Sequence, residues 1–249
     1  MGDKQFVYVT GHNATGKTSL GKNALNEKGF LEQGWHCIDG DEFVREHHEL
    51  EEMMLSTSQA GIMELMRGAF NLDERTEEAR YEEVKKHDAE VRATWEPYYR
   101  KVFECLKQHI SDNNMDKVVF PYHCWRSWII DLVLEYFGRE GWKCKIIEVT
   151  TDAKLRYQRW VERQVPRGLD VEKRWREDVG EPMTMLRNAY GPEYKGNEEH
   201  FLKFVEHRYF FPREPMPQSR SDIFFIKNDD FGGLKEMEKI LGLGSLELP

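Results

Sequence analysis

Two hydrophobic patterns alternate along the chain. Short runs rich in β-branched and aromatic residues stand at Phe6–Thr10, Trp35–Ile38, Lys117–Tyr122, Cys144–Thr150 and Asp222–Lys227. Each is too short for a helix and reads as a buried strand. Between them, apolar residues recur at three- and four-residue steps, the spacing of helices laid on a sheet. One such stripe is Trp125, Trp128, Ile129, Leu132, Val133, Tyr136 and Phe137, ended by Gly138. Strands buried on both faces and separated by helices predict parallel β-α-β units, an α/β fold of three layers around a five-stranded sheet. Two stretches exceed what that sheet needs. Residues 44–110 read as a helical insertion between the second and third strands. Val84, Val91, Trp95, Tyr98, Val102, Leu106 and Ile110 lie on one stripe there, and Pro97 predicts a kink. Residues 152–217 read as a lid with additional helices, punctuated by Pro and Gly toward their end. No repeat is visible, so residues 1–249 are expected to form a single domain ending in a flexible Gly242-Leu243-Gly244-Ser245.

Composition narrows the setting. Thirty-six Lys and Arg against 45 Asp and Glu give a net charge of −9, which argues against nucleic acid as a general partner. No apolar run approaches the about 18 residues of a membrane span, and no leader pattern opens the chain. The four cysteines have no C-x-x-C spacing and sit mostly in apolar runs. Buried thiols in a reducing cytoplasm are expected, rather than a zinc site or disulfides. Nothing in the pattern sets an oligomeric state.

The chemistry begins after the first strand. Gly11-His12-Asn13-Ala14-Thr15-Gly16-Lys17-Thr18 fits G-x-x-x-x-G-K-[ST]. It lies between a strand and a helical run opening at Ser19, with Leu20, Ala24 and Leu25 at helical spacing. Glycines let backbone N–H groups turn around an anion, and the helix N-terminus adds a favourable dipole. In such a loop Lys17 reaches the outer phosphates and the Thr18 hydroxyl can ligate Mg²⁺. The second strand ends in Asp39-Gly40-Asp41, where ligands of a doubly wound sheet sit. A carboxylate there can orient and deprotonate an acceptor hydroxyl or hold Mg²⁺, and Asp41, preceding a helical segment, could also cap it. The third strand ends without an acidic residue, so no GTPase-type Asp-x-x-Gly is visible. Arg126, just beyond that strand, is a candidate for holding an anionic group. Arg45 is a modest substrate candidate, while His47 and His48 point about 100° apart and are read as helix surface. After the fourth strand come Arg156, Arg159, Arg163 and Arg167, of which Arg163 and Arg167 are assigned to a closing lid and Arg156 is not.

The phosphate loop followed by Ile38-Asp39-Gly40-Asp41 resembles the P-loop small-molecule kinases, nearest gluconate kinase and adenylylsulfate kinase and further from shikimate kinase. The resemblance rests on these two motifs. It implies a nucleoside-monophosphate-kinase-like fold with strand order 2-3-1-4-5. It also implies a carboxylate beside the acceptor hydroxyl and Mg²⁺, lid arginines, and a loop after the fifth strand that packs on adenine and includes Asn228. The resulting expectation is an ATP- and Mg²⁺-dependent kinase of a small hydroxyl-bearing acceptor. Lys17, Asp41, Asp39, Arg163 and Arg167 would be catalytic. Gly11 to Ser19 and Asn228 would hold the nucleotide, Asp41, Arg45 and Arg126 the acceptor, and Thr18 and Asp39 the metal. A nucleotide or polynucleotide kinase is the second reading. A nucleotide-dependent regulatory module with little turnover is the third.

Overall fold

The computed structural model describes residues 4–12, 14–26, 33–59, 82, 85–124, 126–152, 154–156, 158–159, 193, 214, 216–229 and 232–242. Five strands, β1 (Gln5–Thr10), β2 (Trp35–Cys37), β3 (Lys117–Pro121), β4 (Lys143–Thr150) and β5 (Ile223–Lys227), form one parallel sheet in the order β2-β3-β1-β4-β5. The helices are α1 (Lys17–Asn26), α2 (Gly40–Glu46), α3 (His48–Gln59), α4 (Asp88–Asp112), α5 (Ser127–Tyr136) and α6 (Gly232–Leu241). A 3₁₀ turn at Gly138–Glu140 follows α5.

Side chains alternate across a strand, so one strand feeds two cores. Phe6 and Tyr8 of β1 join Val118, Phe120 and Ile146 under α4 and α5. Val7 and Val9 join Val119, Ile147 and Val149 on the other face, with Leu20 of α1 and Met237 and Leu241 of α6. All of these are nearly or completely buried. The first core is aromatic: Phe6 stacks on Phe137 with centroids 3.8 Å apart, and Phe103 meets Tyr8 edge-on at 6.1 Å.

α4, from the segment read as a helical insertion, packs on the sheet beside α5 in the first core. Val91, Trp95, Tyr98, Val102, Leu106 and Ile110 are buried along it. Val84, the first residue of the expected stripe, lies outside the described residues, as do 60–81. Pro97 sits inside α4 without ending it. Burial on both sides of Pro97 outweighs the local cost of its missing N–H.

Because the strands are parallel, the exits of β1, β2 and β3 share one edge. The exits of β1 and β3 are also tied together there. The Tyr8 hydroxyl donates to the His123 carbonyl, the Thr10 hydroxyl to the Cys124 carbonyl at 3.3 Å, and the Tyr122 N–H to the Val9 carbonyl at 2.9 Å.

Candidate active site

β1 delivers the chain into the glycine loop. Gly11 has φ +143°, Ala14 +57° and Gly16 +92°. Left-handed backbone costs a non-glycine residue about 1–2 kcal/mol, so Ala14 is held there by its surroundings. Such turns aim successive N–H groups at one point, an anion nest. The first N–H groups of α1 add to it, having no acceptor within the helix. Thr15, almost fully buried, closes the loop by donating its hydroxyl to the His12 carbonyl at 2.8 Å. The Lys17 ammonium donates to the carbonyls of Gly11 and His12 at 2.9 and 3.0 Å, which lays its charge over the loop. Thr18 is half-buried on the first turn of α1 and Ser19 is exposed. Asn13 lies outside the described residues.

At Gly11 a Cβ would stand 2.2 Å from the Val149 carbonyl oxygen, a backbone atom that cannot step aside. Gly11→Ala is therefore expected to lower stability by at least about 1–3 kcal/mol. Thermal denaturation reads the loss.

Behind the loop, the Thr15 carbonyl accepts three donors: Asn228 Nδ2 at 2.7 Å, Thr151 Oγ1 at 3.2 Å and Arg159 Nη1 at 3.3 Å. The Asn228 carbonyl accepts Arg159 Nη2 at 2.8 Å and lies 3.2 Å from the same Thr151 Oγ1, whose one proton serves either carbonyl. Its N–H donates to the Thr150 carbonyl at 2.8 Å. The exits of β4 and β5 are thus clamped to the loop. The buried Asn228 side chain turns to the loop, so close that a Cβ on Gly16 would lie 2.5 Å from Nδ2. Arg159 is the loop contact that sequence reasoning missed, because its spacing only groups it with Arg156 and Arg163. Arg156 is buried, and Arg163 and Arg167 lie outside the described residues with most of the expected lid. Arg159→Ala removes donors to the Thr15 and Asn228 carbonyls and should lower stability by about 1–3 kcal/mol, read by thermal denaturation.

At the β2 exit the two aspartates part company. Asp39 is the N-cap of α2, its Oδ1 accepting the N–H groups of Asp41 at 3.1 Å and Glu42 at 3.4 Å. The capping role considered for Asp41 therefore falls on Asp39, because the helix starts at Gly40. Asp39 Oδ2 also lies 3.5 Å from Lys22 Nζ, which pairs with Glu42 at 3.1 Å. The hydrogen bond that Lys22 donates to Glu42, aided by Asp39, holds the Lys22 pKa above its ordinary value. Asp41 is different: its carboxylate is 61% exposed and its Oδ1 lies 3.5 Å from His123 Nε2.

Gly40 makes this meeting of two strand exits possible, since a Cβ there would stand 2.4 Å from the Tyr122 ring. The Tyr122 hydroxyl is hydrogen-bonded to that of Tyr98. Burial pushes the Tyr98 phenol up to about 12, with Asp41 adding to the rise, and burial keeps Tyr122 well above 10.0. Both phenols are neutral.

Of the other expected acceptor residues, Arg45 is exposed on α2 and donates its Nε to the Asp41 carbonyl at 3.0 Å. Arg126 is fully buried and its Nε donates to Asp88 at 2.9 Å. That bond joins the start of α5 to the start of α4, so the guanidinium packs in the interior instead of facing a cleft. His47 bonds back to the Phe43 carbonyl and His48 pairs with Glu52, each on its own. A cleft of about 400 Å³ opens beside Asp39 along the free edge of β2, lined among others by Lys22, His36, Cys37, Glu42 and His109. Burial, with Asp39 adding, pushes the Cys37 thiol up to about 12, which keeps it protonated and unreactive.

No protein-family model matches the chain, and no curated protein matches it. Among solved structures, APS kinase CysC of Mycobacterium tuberculosis, in complex with AMPPNP and APS, is 12% identical with a TM-score of 0.46, covering 98% of each chain. A sugar kinase from a Janibacter species is 12% identical with a TM-score of 0.44, over 97% of this chain and 96% of that one. A gluconokinase from Sinorhizobium meliloti is 13% identical with a TM-score of 0.40, over 98% of this chain and 99% of that one. Each of these neighbours is a kinase, and what the chain has in common with them is fold.

Proposed function

We propose that the chain is an ATP-dependent phosphotransferase that moves the γ-phosphoryl group onto a hydroxyl of a small molecule such as a sugar acid, a polyol or a nucleoside-like compound. One observation carries the reading. The glycine loop with Lys17 laid over it shares a sheet edge with an exposed Asp41, whose oxygen is fixed against a second titratable group. Phosphoryl transfer asks the protein for positioning and charge stabilisation more than for covalent chemistry. Lys17 and the loop N–H groups hold the triphosphate, with Arg163 and Arg167 assigned to the transferring group. Asp41 orients the acceptor hydroxyl and takes its proton as the new oxygen–phosphorus bond forms and the bond to the leaving diphosphate breaks.

Mg²⁺ fits the donors present. Among the described residues no group of three His, Cys, Asp or Glu forms a cage. A hydroxyl from Thr18 and a water-mediated contact to Asp39 suit an ion that keeps phosphate oxygens and water for most of its shell. Bound there, Mg²⁺ supplies charge neutralisation at the β- and γ-phosphates. Asp39 Oδ1 is committed to its helix cap, so the contact would fall to Oδ2, which it would share with Lys22 at 3.5 Å. Among the described residues no helix is long and apolar enough to cross a membrane. All four cysteines are free thiols, which supports a cytoplasmic setting.

The test is ATP consumption with MgATP held constant across sugars, sugar acids, polyols and nucleosides. Turnover that rises with one class of acceptor is the expected result. Equal, slow hydrolysis with every acceptor would remove the kinase reading in favour of a nucleotide-dependent regulatory module.

A further inference from the structure

Resting on that reading, we propose that Asn228, at the exit of β5, is a positioning residue for the polyphosphate. Its amide sets the peptide plane between Thr15 and Gly16 and so aims the Gly16 N–H at the anion. The amide sits in a slot shaped for it. Its Nδ2 donates to the Thr15 carbonyl at 2.7 Å, nearer than Thr151 Oγ1 at 3.2 Å or Arg159 Nη1 at 3.3 Å. A carbonyl oxygen can only accept, so the nitrogen and not the oxygen of the amide faces it. Gly16 makes room on that side. On the other stands Gly233 of α6, where a Cβ would lie 2.8 Å from Asn228 Oδ1 and 3.2 Å from its Cβ and Cγ. Gly233 lies within a helix and has no left-handed φ, so its missing side chain answers to space alone. Two glycines far apart in the chain thus enclose one buried amide. Its backbone is fixed as well, the N–H on the Thr150 carbonyl at 2.8 Å.

The consequence follows from the peptide unit. A trans peptide is planar, with its C=O and N–H pointing opposite ways, and no peptide bond among the described residues is cis. Holding the Thr15 oxygen toward the exits of β4 and β5 therefore turns the Gly16 N–H away from them. Gly16, at φ +92°, belongs to the residue type with the widest choice of backbone angles, so the loop needs an outside contact to select this plane. The Gly16 carbonyl is already committed, accepting the Leu20 N–H at 2.8 Å as α1 begins. Thr15 is held on its other side through its hydroxyl bond to the His12 carbonyl. The plane between the two residues is what remains, and Asn228 fixes it. A nest binds an anion only where successive N–H groups converge, and donors aimed in advance need no reorganisation when it arrives. Asn228 acts on the phosphates only through this plane.

The test is calorimetric binding of two probes to the full chain: magnesium tripolyphosphate, which has neither base nor sugar, and MgATP. Asn228→Leu keeps the bulk of the amide and removes its donor. Asn228→Ala, smaller and easily housed, takes its place if the leucine variant does not fold, and denaturation curves establish the folded state of each. Kd for tripolyphosphate should rise about 3- to 10-fold, the loss of about one net hydrogen bond, and Kd for MgATP by the same factor. Weakening of MgATP alone would put Asn228 at the base or sugar and overturn the proposal. A lower Tm with both Kd values unchanged is the mark of a merely structural contact and overturns it too. The Gly16 amide resonance gives a second reading. In the parent protein tripolyphosphate should shift it downfield as the N–H donates to the anion, and in the variant that shift should shrink. An equal shift in both proteins overturns the proposal. If the parent binds neither probe, the phosphotransferase reading falls with it. Acceptor-stimulated turnover, beside a variant with parental affinity for both probes, removes the positioning role alone.

Discussion

Lys17→Ala is expected to abolish productive use of triphosphate, with kcat down by about 10²–10³-fold or more and the folded structure kept. Removing one preorganised donor from a charge that develops in the transition state costs roughly 3–4 kcal/mol. Lys17 is the one charged side chain of the loop motif. Its ammonium already rests on the Gly11 and His12 carbonyls, within the loop that would surround the outer phosphates. Alanine leaves the left-handed turns at Gly11, Ala14 and Gly16 untouched, and Thr15 still closes the loop through His12. Fold and Tm should therefore change little while turnover collapses. Steady-state rates with denaturation curves for both proteins check this. A variant that keeps more than a tenth of parental kcat would mean that the loop does not carry the transferring phosphate.

The contrast between Lys17 and Asn228 shows what was legible in the sequence. Lys17 sits inside a local motif, where loop conformation and helix start are set by neighbouring residues, so its place followed from spacing. Asn228 and Arg159 meet at Thr15 only because the sheet brings β1, β4 and β5 side by side, and no spacing encodes that. The strands were readable because each is a short apolar run, with shifts only at the ends. β5 starts at Ile223, not Asp222, since the Asp222 carboxylate is held by the Arg220 guanidinium at 2.8 and 3.1 Å. β2 ends at Cys37, so α2 begins sooner and its cap moves to Asp39. The aromatic stripe before Gly138 packs on the sheet as expected through Trp128, Ile129, Leu132, Val133 and Phe137, while Trp125 lies outside the described residues. Arg126 defeated local reading for the same reason as Arg159. Its partner, Asp88, starts a helix from a distant part of the chain.

That displaced cap leads to the second large effect, because it separates two carboxylates that the sequence leaves equivalent. Asp41→Asn should lower kcat by about 10²–10⁴-fold, the usual contribution of a positioned general base, with KM for ATP nearly unchanged. The exposed side chain makes no cap, so Tm should stay within the small range of surface substitutions, about ±0.5 kcal/mol. Asp39→Ala should behave the other way. It removes the acceptor for two N–H groups of α2 and a partner of Lys22, costing about 0.5–2 kcal/mol of stability. Its kcat at saturating Mg²⁺ should fall far less than that of Asp41→Asn, though more Mg²⁺ should be needed to reach it. Asparagine at position 39 still offers an oxygen to the helix, so Asp39→Asn should recover most of the stability lost in the alanine variant. Rates and denaturation midpoints of the three variants therefore form two independent orderings. If the rate loss followed Asp39 and not Asp41, the base would be the half-buried helix cap.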